Sequence, residues 1–222
     1  MNTQTHLLLA AALFCRPGHR GRNAAVLAGA FAPDLGVYGL FAWSKLAGVP
    51  EADVWRRIYF AEPMQTIQAV LNSVPLYAVL LIAGMAVLAP LSRTERVVAG
   101  AGAQQPASGG DWWSFVDGRS WLGLFALAAL VHLAGDLPLH ADDAHRHFWP
   151  LTDWRFHSPI SYWDRAHYGG VFSLVEAALG VALATVLFRR FPIRWVRALC
   201  VLAVAVYVGV PLYFTLVLGG GQ

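Results

Sequence analysis

The chain reads as an all-α, polytopic integral membrane bundle of five to six transmembrane helices, and three observations predict it. Hydrophobic residues make up 57% of the 222 positions and charged residues only 13%, with a mean hydropathy of +0.51, which is outside the usual range of soluble domains. Apolar runs recur at Ala24 to Ala47, Thr66 to Leu91, Trp121 to Leu139, Val171 to Phe188 and Trp195 to Leu218. Each is near the ~20 residues a helix needs to cross the hydrocarbon core. Lysine and arginine alternate between the intervening loops, as the positive-inside bias requires.

In chain order, the first apolar run, Leu7 to Phe14, is about half the required length. It is either a short, partly immersed helix or a span completed by polar residues around His6. A signal peptide is the weaker reading, because no basic residue precedes the run and Cys15-Arg16-Pro17 is a poor cleavage site. The next spans carry Pro33, Pro75 and Pro138, which free backbone carbonyls and kink a helix, opening space for a site. Gly100 to Gly110, GAGAQQPASGG, reads as a flexible connector between two helical halves of one membrane domain covering residues 1–222. Trp112, Trp113, Trp121, Trp149, Trp154 and Trp163 fall at span edges, as an aromatic belt would.

Arg16, Arg20 and Arg22, then Arg93, Arg96 and Arg119, then Arg189, Arg190, Arg194 and Arg197 put ten basic and three acidic residues in alternate loops. Placing those loops in the cytoplasm leaves the 51–62 and 140–168 loops, and seven of the eight histidines, on the opposite side. The net charge of +3 and pI near 9.1 are explained by these loops, so no nucleic-acid partner is implied. Cys15 and Cys200 lack metal or redox spacing and read as isolated structural thiols.

The chemistry concentrates in His132 to Asp164, which holds five histidines and five aspartates. His132 and Asp136 are four apart and share one helix face, and His140 extends that face by a further turn. Asp34 lies inside another apolar span and His6 at the edge of the first. Ionisable groups in hydrocarbon are costly, so several facing one side argue for a bound cation or a proton path, with a buried hydrogen-bonded packing cluster as the competing account. His6, Asp34, His132 and Asp136 are the candidate ligands of a divalent metal, zinc first, with iron or manganese as alternatives. Asp136 and His140 are the candidate catalytic groups, and Asn72 a neutral polar neighbour. Glu176 reads more simply as a helix-packing hydrogen-bonder, and the tract His140, Asp142, Asp143, His145 and His147 mostly as a solvated loop. No serine-nucleophile elbow, phosphate-binding loop or zincin motif is present.

At Thr5-His6-Leu7-Leu8, Ala32-Pro33-Asp34, His132 to Asp136, Trp149-Pro150, Trp154-Arg155-Phe156 and Pro159-Ile160, the chain resembles the YdjM-like family of inner-membrane, metal-dependent hydrolases. The resemblance covers roughly residues 5 to 40 and 120 to 165, in the same order. It implies a multi-pass protein of a bacterial-type inner membrane with a metal-activated water. The family's HRGxTHS element has no counterpart here; the similarly placed segment runs from Gln65 to Ser73 without a histidine. A membrane-embedded hydrolase acting on a lipid or other membrane-borne ester or phosphoester is the preferred function. A non-enzymatic transporter-like or accessory protein using the same cluster for a cation, a proton or packing is the alternative. Membrane lipids are the expected surroundings in either case, and small residues such as Gly29 and Gly180 suit helix packing within one chain or between chains.

Overall fold

A computed structural model describes residues 1–85 and 120–213. The connector 100–110, Trp112, Trp113, Arg93, Arg96 and Arg119 lie outside these residues. Eight helices of ten or more residues are described: α1 (Thr3–Phe14), α2 (Arg20–Phe31), α3 (Leu35–Leu46), α4 (Glu62–Leu71), α5 (74–85), α6 (Trp121–Asp136), α7 (Gly169–Arg190) and α8 (Arg194–Tyr213). Short 3-10 and π turns join some of them, and no strand occurs among the described residues.

Four stretches are long and apolar enough to cross a membrane: Arg20–Leu46, Glu62–Met85, Trp121–Leu139 and Gly169–Arg190. This is fewer than the five to six expected. α1 has only 12 residues, about 18 Å at 1.5 Å per residue, and so falls short of the core thickness. α8 carries Arg194 and Arg197 in its first turn, and the run predicted to end at Leu218 passes beyond the described residues.

Two of the spans are broken. Pro33 at the first turn position of Ala32–Asp34 tightens the join between α2 and α3 into a 3-10 turn, because proline supplies no N–H to an α-helical ladder. Asn72 and Ser73 separate α4 from α5, with the Ser73 hydroxyl accepting from Leu76 N at 3.1 Å as an N-cap does.

α2 and α6 make the tightest crossing. A Cβ on Gly29 would fall on the Phe125 backbone carbonyl, so only glycine allows this approach. α1 lies against α2, α6 and α7, and Ala10, Val26, Ala30, Ala128 and Ala184 fill the shared core with small side chains. α1 is held at both ends. Arg22 and Arg190 donate to the carbonyls of Phe14 (3.1 Å) and Ala12 (2.5 Å) at its C-terminus. At its N-terminus Glu176 of α7 accepts from Asn2 N (2.6 Å), Asn2 Nδ2 (2.8 Å) and Thr5 Oγ1 (2.6 Å). Glu176 is therefore a helix-packing acid, in agreement with its sequence context.

The histidine-rich tract departs from the expectation of a solvated loop. His140, His145 and His147 are buried and Asp142 is exposed. The segment folds back onto the α4–α5 break, where Val74 N donates to His147 O (2.8 Å) and Ser73 Oγ to Trp149 O (2.7 Å). Arg146 fixes its outer side to Glu62 and Asp153 at 3.0 and 3.1 Å.

Candidate metal centre

Two helices and a turn bring the site together. α6 projects His132 and Asp136 from one face, α1 brings His6, and the turn between α2 and α3 adds Asp34. Asp136 lies fifteen residues along α6 from Trp121, about 22 Å along the axis. The cluster therefore lies toward the C-terminal end of this apolar helix, away from Arg190, which holds the opposite end of α1.

The Asp136 carboxylate is the hub. Its Oδ1 is 2.8 Å from His6 Nε2 and 3.5 Å from His140 Nε2, and its Oδ2 is 2.9 Å from His132 Nε2. The Met1 amino nitrogen also lies 2.6 Å from Oδ1. The His6 and His132 rings stack at 3.6 Å and 9°. Asp34 Oδ1 stands 3.6 Å from His132 Nε2, while its Oδ2 accepts from Thr3 Oγ1 at 2.5 Å.

His132 Nδ1 faces the Ala30 carbonyl at 2.6 Å, which fixes the proton on that nitrogen. With Nδ1 so committed, Nε2 is buried between two carboxylates, 2.9 Å from Asp136 Oδ2 and 3.6 Å from Asp34 Oδ1, and makes no well-formed hydrogen bond. A nitrogen and two carboxylates at these distances call for a proton or a cation between them. His6, His132 and Asp136 each offer a ligand atom, all within 4.8 Å of one another, and this His/carboxylate donor set suits a divalent metal. The backbone carbonyl on the far nitrogen of His132 is the usual outer partner of a metal-ligating histidine.

Of the sequence-derived residues, His6, His132, Asp136 and His140 are buried together, and Asp34 is at their margin. Asn72 is near the group but spends its amide on backbone, donating to Gln68 O (3.0 Å) and Pro33 O (3.4 Å). Its backbone carbonyl is 3.2 Å from His147 Nδ1, so it ties the broken helices to the histidine-rich loop.

Burial pulls the His140 imidazole down, but its hydrogen bonds with Asp136 and Asp143 outweigh this and hold it up, at about 9. His145, without such a partner, is pushed well down by burial and then by the charge of His140. Burial also lowers His147.

A cavity of about 720 Å³ opens beside the cluster. Asp136 and His140 lie at its buried end, 3% and 7% exposed; Tyr38 and Phe60, at 46% and 51%, mark its mouth. Gln68, Tyr59 and Trp55 also line it and are not among the sequence-derived candidates. The one available signal is Gln68 four residues before Asn72, on the same face of α4. A second grouping of possible ligands, Asp142, Asp164 and His167, is at the surface; there Asp164 and His167 satisfy each other at 2.6 Å.

No protein-family model, no curated protein and no solved structure matches this chain.

Proposed function

We propose that the protein is a membrane-embedded, metal-dependent hydrolase of the YdjM-like kind, acting on a lipid or another membrane-borne ester or phosphoester. One observation carries the reading: the buried Nε2 of His132 faces the carboxylates of Asp136 and Asp34 at 2.9 and 3.6 Å, with His6 stacked on its ring. His6, His132 and Asp136 are the ligands, with Asp34 as a fourth. Zinc suits two imidazoles and two carboxylates, and iron or manganese would also accept them. A metal in such a site lowers the pKa of a bound water to ~7.

The surrounding residues divide the remaining work. The Ala30 carbonyl orients His132. Asp136 joins three imidazoles and fixes their spacing. His140, 3.5 Å from Asp136 on the cavity side and carrying its proton at neutral pH, is placed to donate a proton to a leaving group. Burial of the cluster limits the site to the cavity and keeps bulk water away.

In the membrane, α1 and α8 join the four long spans in a bundle of five to six crossings. The arginines of the α1–α2 and α7–α8 connections face the cytoplasm, and the site faces the outer side of a bacterial-type inner membrane.

The test is metal content by elemental mass spectrometry on detergent-purified protein, with His132→Ala and Asp136→Ala at matched folding, followed by an esterase and phosphatase screen. Near-stoichiometric metal that both substitutions abolish, together with turnover, is expected. Metal without turnover would leave a cation-binding or transport role. Absence of metal from folded wild type would leave a polar packing cluster.

A further inference from the structure

The cavity over the cluster has two unlike ends and an unusual charge. Its mouth is aromatic, with Tyr38, Phe41, Trp55 and Phe60; its depth holds the carboxylates of Asp34, Asp136 and Asp143. No lysine or arginine side chain lines it among the described residues, and its two cationic groups, the Met1 ammonium and the His140 imidazole, are already engaged by Asp136 and Asp143. Arg146 and Arg155 are close in sequence to the lining but bond elsewhere, Arg146 to Glu62 and Asp153 and Arg155 to Gln65 and the Ala144 carbonyl. Lys45 lies over the Phe41 ring at 4.8 Å and is tied to Glu51 at 3.1 Å, and it is not part of the lining.

Sites that select phosphate supply guanidinium, ammonium or helix N-terminal amides. The first turn of α1 borders this cavity, but two carboxylates already face it: Glu176 takes the Asn2 N–H and Asp34 takes the Thr3 hydroxyl. In the metal-free cavity the carboxylates of Asp34, Asp136 and Asp143 outnumber the Met1 ammonium and the His140 imidazole that pair with them. A phosphate-bearing headgroup would therefore enter a metal-free cavity whose net charge opposes it.

We infer that the cavity selects a single-chain amphiphile with an uncharged acyl headgroup, a long-chain carboxylic ester, and rejects one bearing phosphate. Its hydrocarbon lies along Phe41 and Trp55 and its carbonyl reaches the Asp136–His140 end. A volume near 720 Å³ is within the ~300–1,000 Å³ typical of small-molecule sites. The ester as the bond broken rests on the hydrolase reading above; the headgroup preference does not. In the reaction the water oxygen bonds to the carbonyl carbon, the carbon–alkoxide bond breaks, and the proton released by water goes to the alkoxide, giving a fatty acid and an alcohol.

The test uses full-length, metal-stripped protein in phosphatidylcholine nanodiscs and tryptophan quenching by two ligands with the same dibrominated C18 chain. One is a monoacylglycerol and the other a lysophosphatidate. The quenching lost in Trp55→Phe isolates the cavity signal from lipid-facing tryptophans. The expected result is half-saturation by the monoacylglycerol at a mole fraction at least tenfold lower than by the lysophosphatidate. Phe41→Ala should weaken the ester about tenfold, and Asp143→Asn should narrow the gap by improving lysophosphatidate binding. Equal or tighter lysophosphatidate binding, or no Trp55-dependent quenching by either ligand, overturns the inference. Because no metal is present, this outcome is independent of metal content and turnover, on which the hydrolase reading stands or falls.

Discussion

His6 and His132 stack face to face, 3.6 Å between ring centroids and 9° from parallel, with both Nε2 atoms on the Asp136 carboxylate. Two imidazoles from separate helices are thus set side by side, and one carboxylate fixes their spacing. Such preorganisation reduces the cost of assembling a metal site.

Removing the hub should damage the fold as well as the site. Asp136→Ala leaves His6 and His132 in an apolar bundle without their shared acceptor, and loss of one member of a buried polar pair typically costs about 3–5 kcal/mol. Thermal unfolding of metal-free protein in detergent should show a large fall in Tm, with Asp34→Ala, at a half-open position, clearly milder. An equal fall for the two would contradict the central place of Asp136.

The α2–α6 crossing predicts a contrast between two glycines. Gly29→Ala drives a Cβ into the Phe125 backbone, whereas a Cβ at Gly39 meets nothing within 4 Å. The first substitution should destabilise by about 1–3 kcal/mol and reduce bound metal, because it displaces the Ala30 carbonyl that orients His132. The second should leave metal content unchanged and stabilise slightly, as alanine does in a helix interior. Unfolding temperature and metal-to-protein ratio, measured on both variants, check the pair.

Stability of the metal-free protein should peak near pH 6.5, the ordinary histidine value. His140 is held up, at about 9, against the pull of burial by its bonds with Asp136 and Asp143. Its contribution is complete below ~6.5 and is lost as pH rises through about 9. His145 and His147 are lowered chiefly by burial, so their contributions are present above ~6.5 and are lost as pH falls below it. Asp143→Asn removes one of the bonds holding His140 up and should flatten the alkaline side of the profile while leaving the acid side. Thermal unfolding across that pH range is the measurement, and a profile that is flat on both sides is incompatible with the described burial.

Glu176→Gln should loosen one end of α1 selectively. The amide places an NH2 donor among the Asn2 and Thr5 donors that the carboxylate now accepts. Hydrogen exchange in residues 3–8 should accelerate at least tenfold, with the Arg190-held end of α1 less affected. Uniform acceleration along α1 would mean that Glu176 is not a local anchor.

The site's ingredients are more legible in the sequence than its surroundings. The four-residue spacing of His132 and Asp136 fixes a shared helical face. Asp34 stands out as well, because a carboxylate inside an apolar run is too costly to be there without a partner. His6 is visible as a polar residue next to an apolar segment too short to span. The burial of His140, His145 and His147 is not visible, because a polar run reads as solvated unless the surface it packs against is known. That surface, the break at Asn72 and Ser73, is created by tertiary contact with His147 and Trp149. The partners of Glu176 are equally hidden, since Asn2 and Thr5 are distant in sequence and have no distinguishing pattern. The number of crossings is the weakest part of the pattern, as α1 is half a span and the last apolar run extends past Tyr213.

The carboxylate of Glu176 also sets an order of events during synthesis. His6 is synthesised well before α7, yet the carboxylate that takes the Asn2 and Thr5 donors at the start of its helix comes from α7. Until that helix is inserted, α1 has only its neighbours α2 and α6 against which to settle, and these donors lack their carboxylate acceptor. The candidate metal centre is therefore a late product of membrane insertion: a chain arrested before α7 holds all the ligands but not the clamp that keeps the first of them in place.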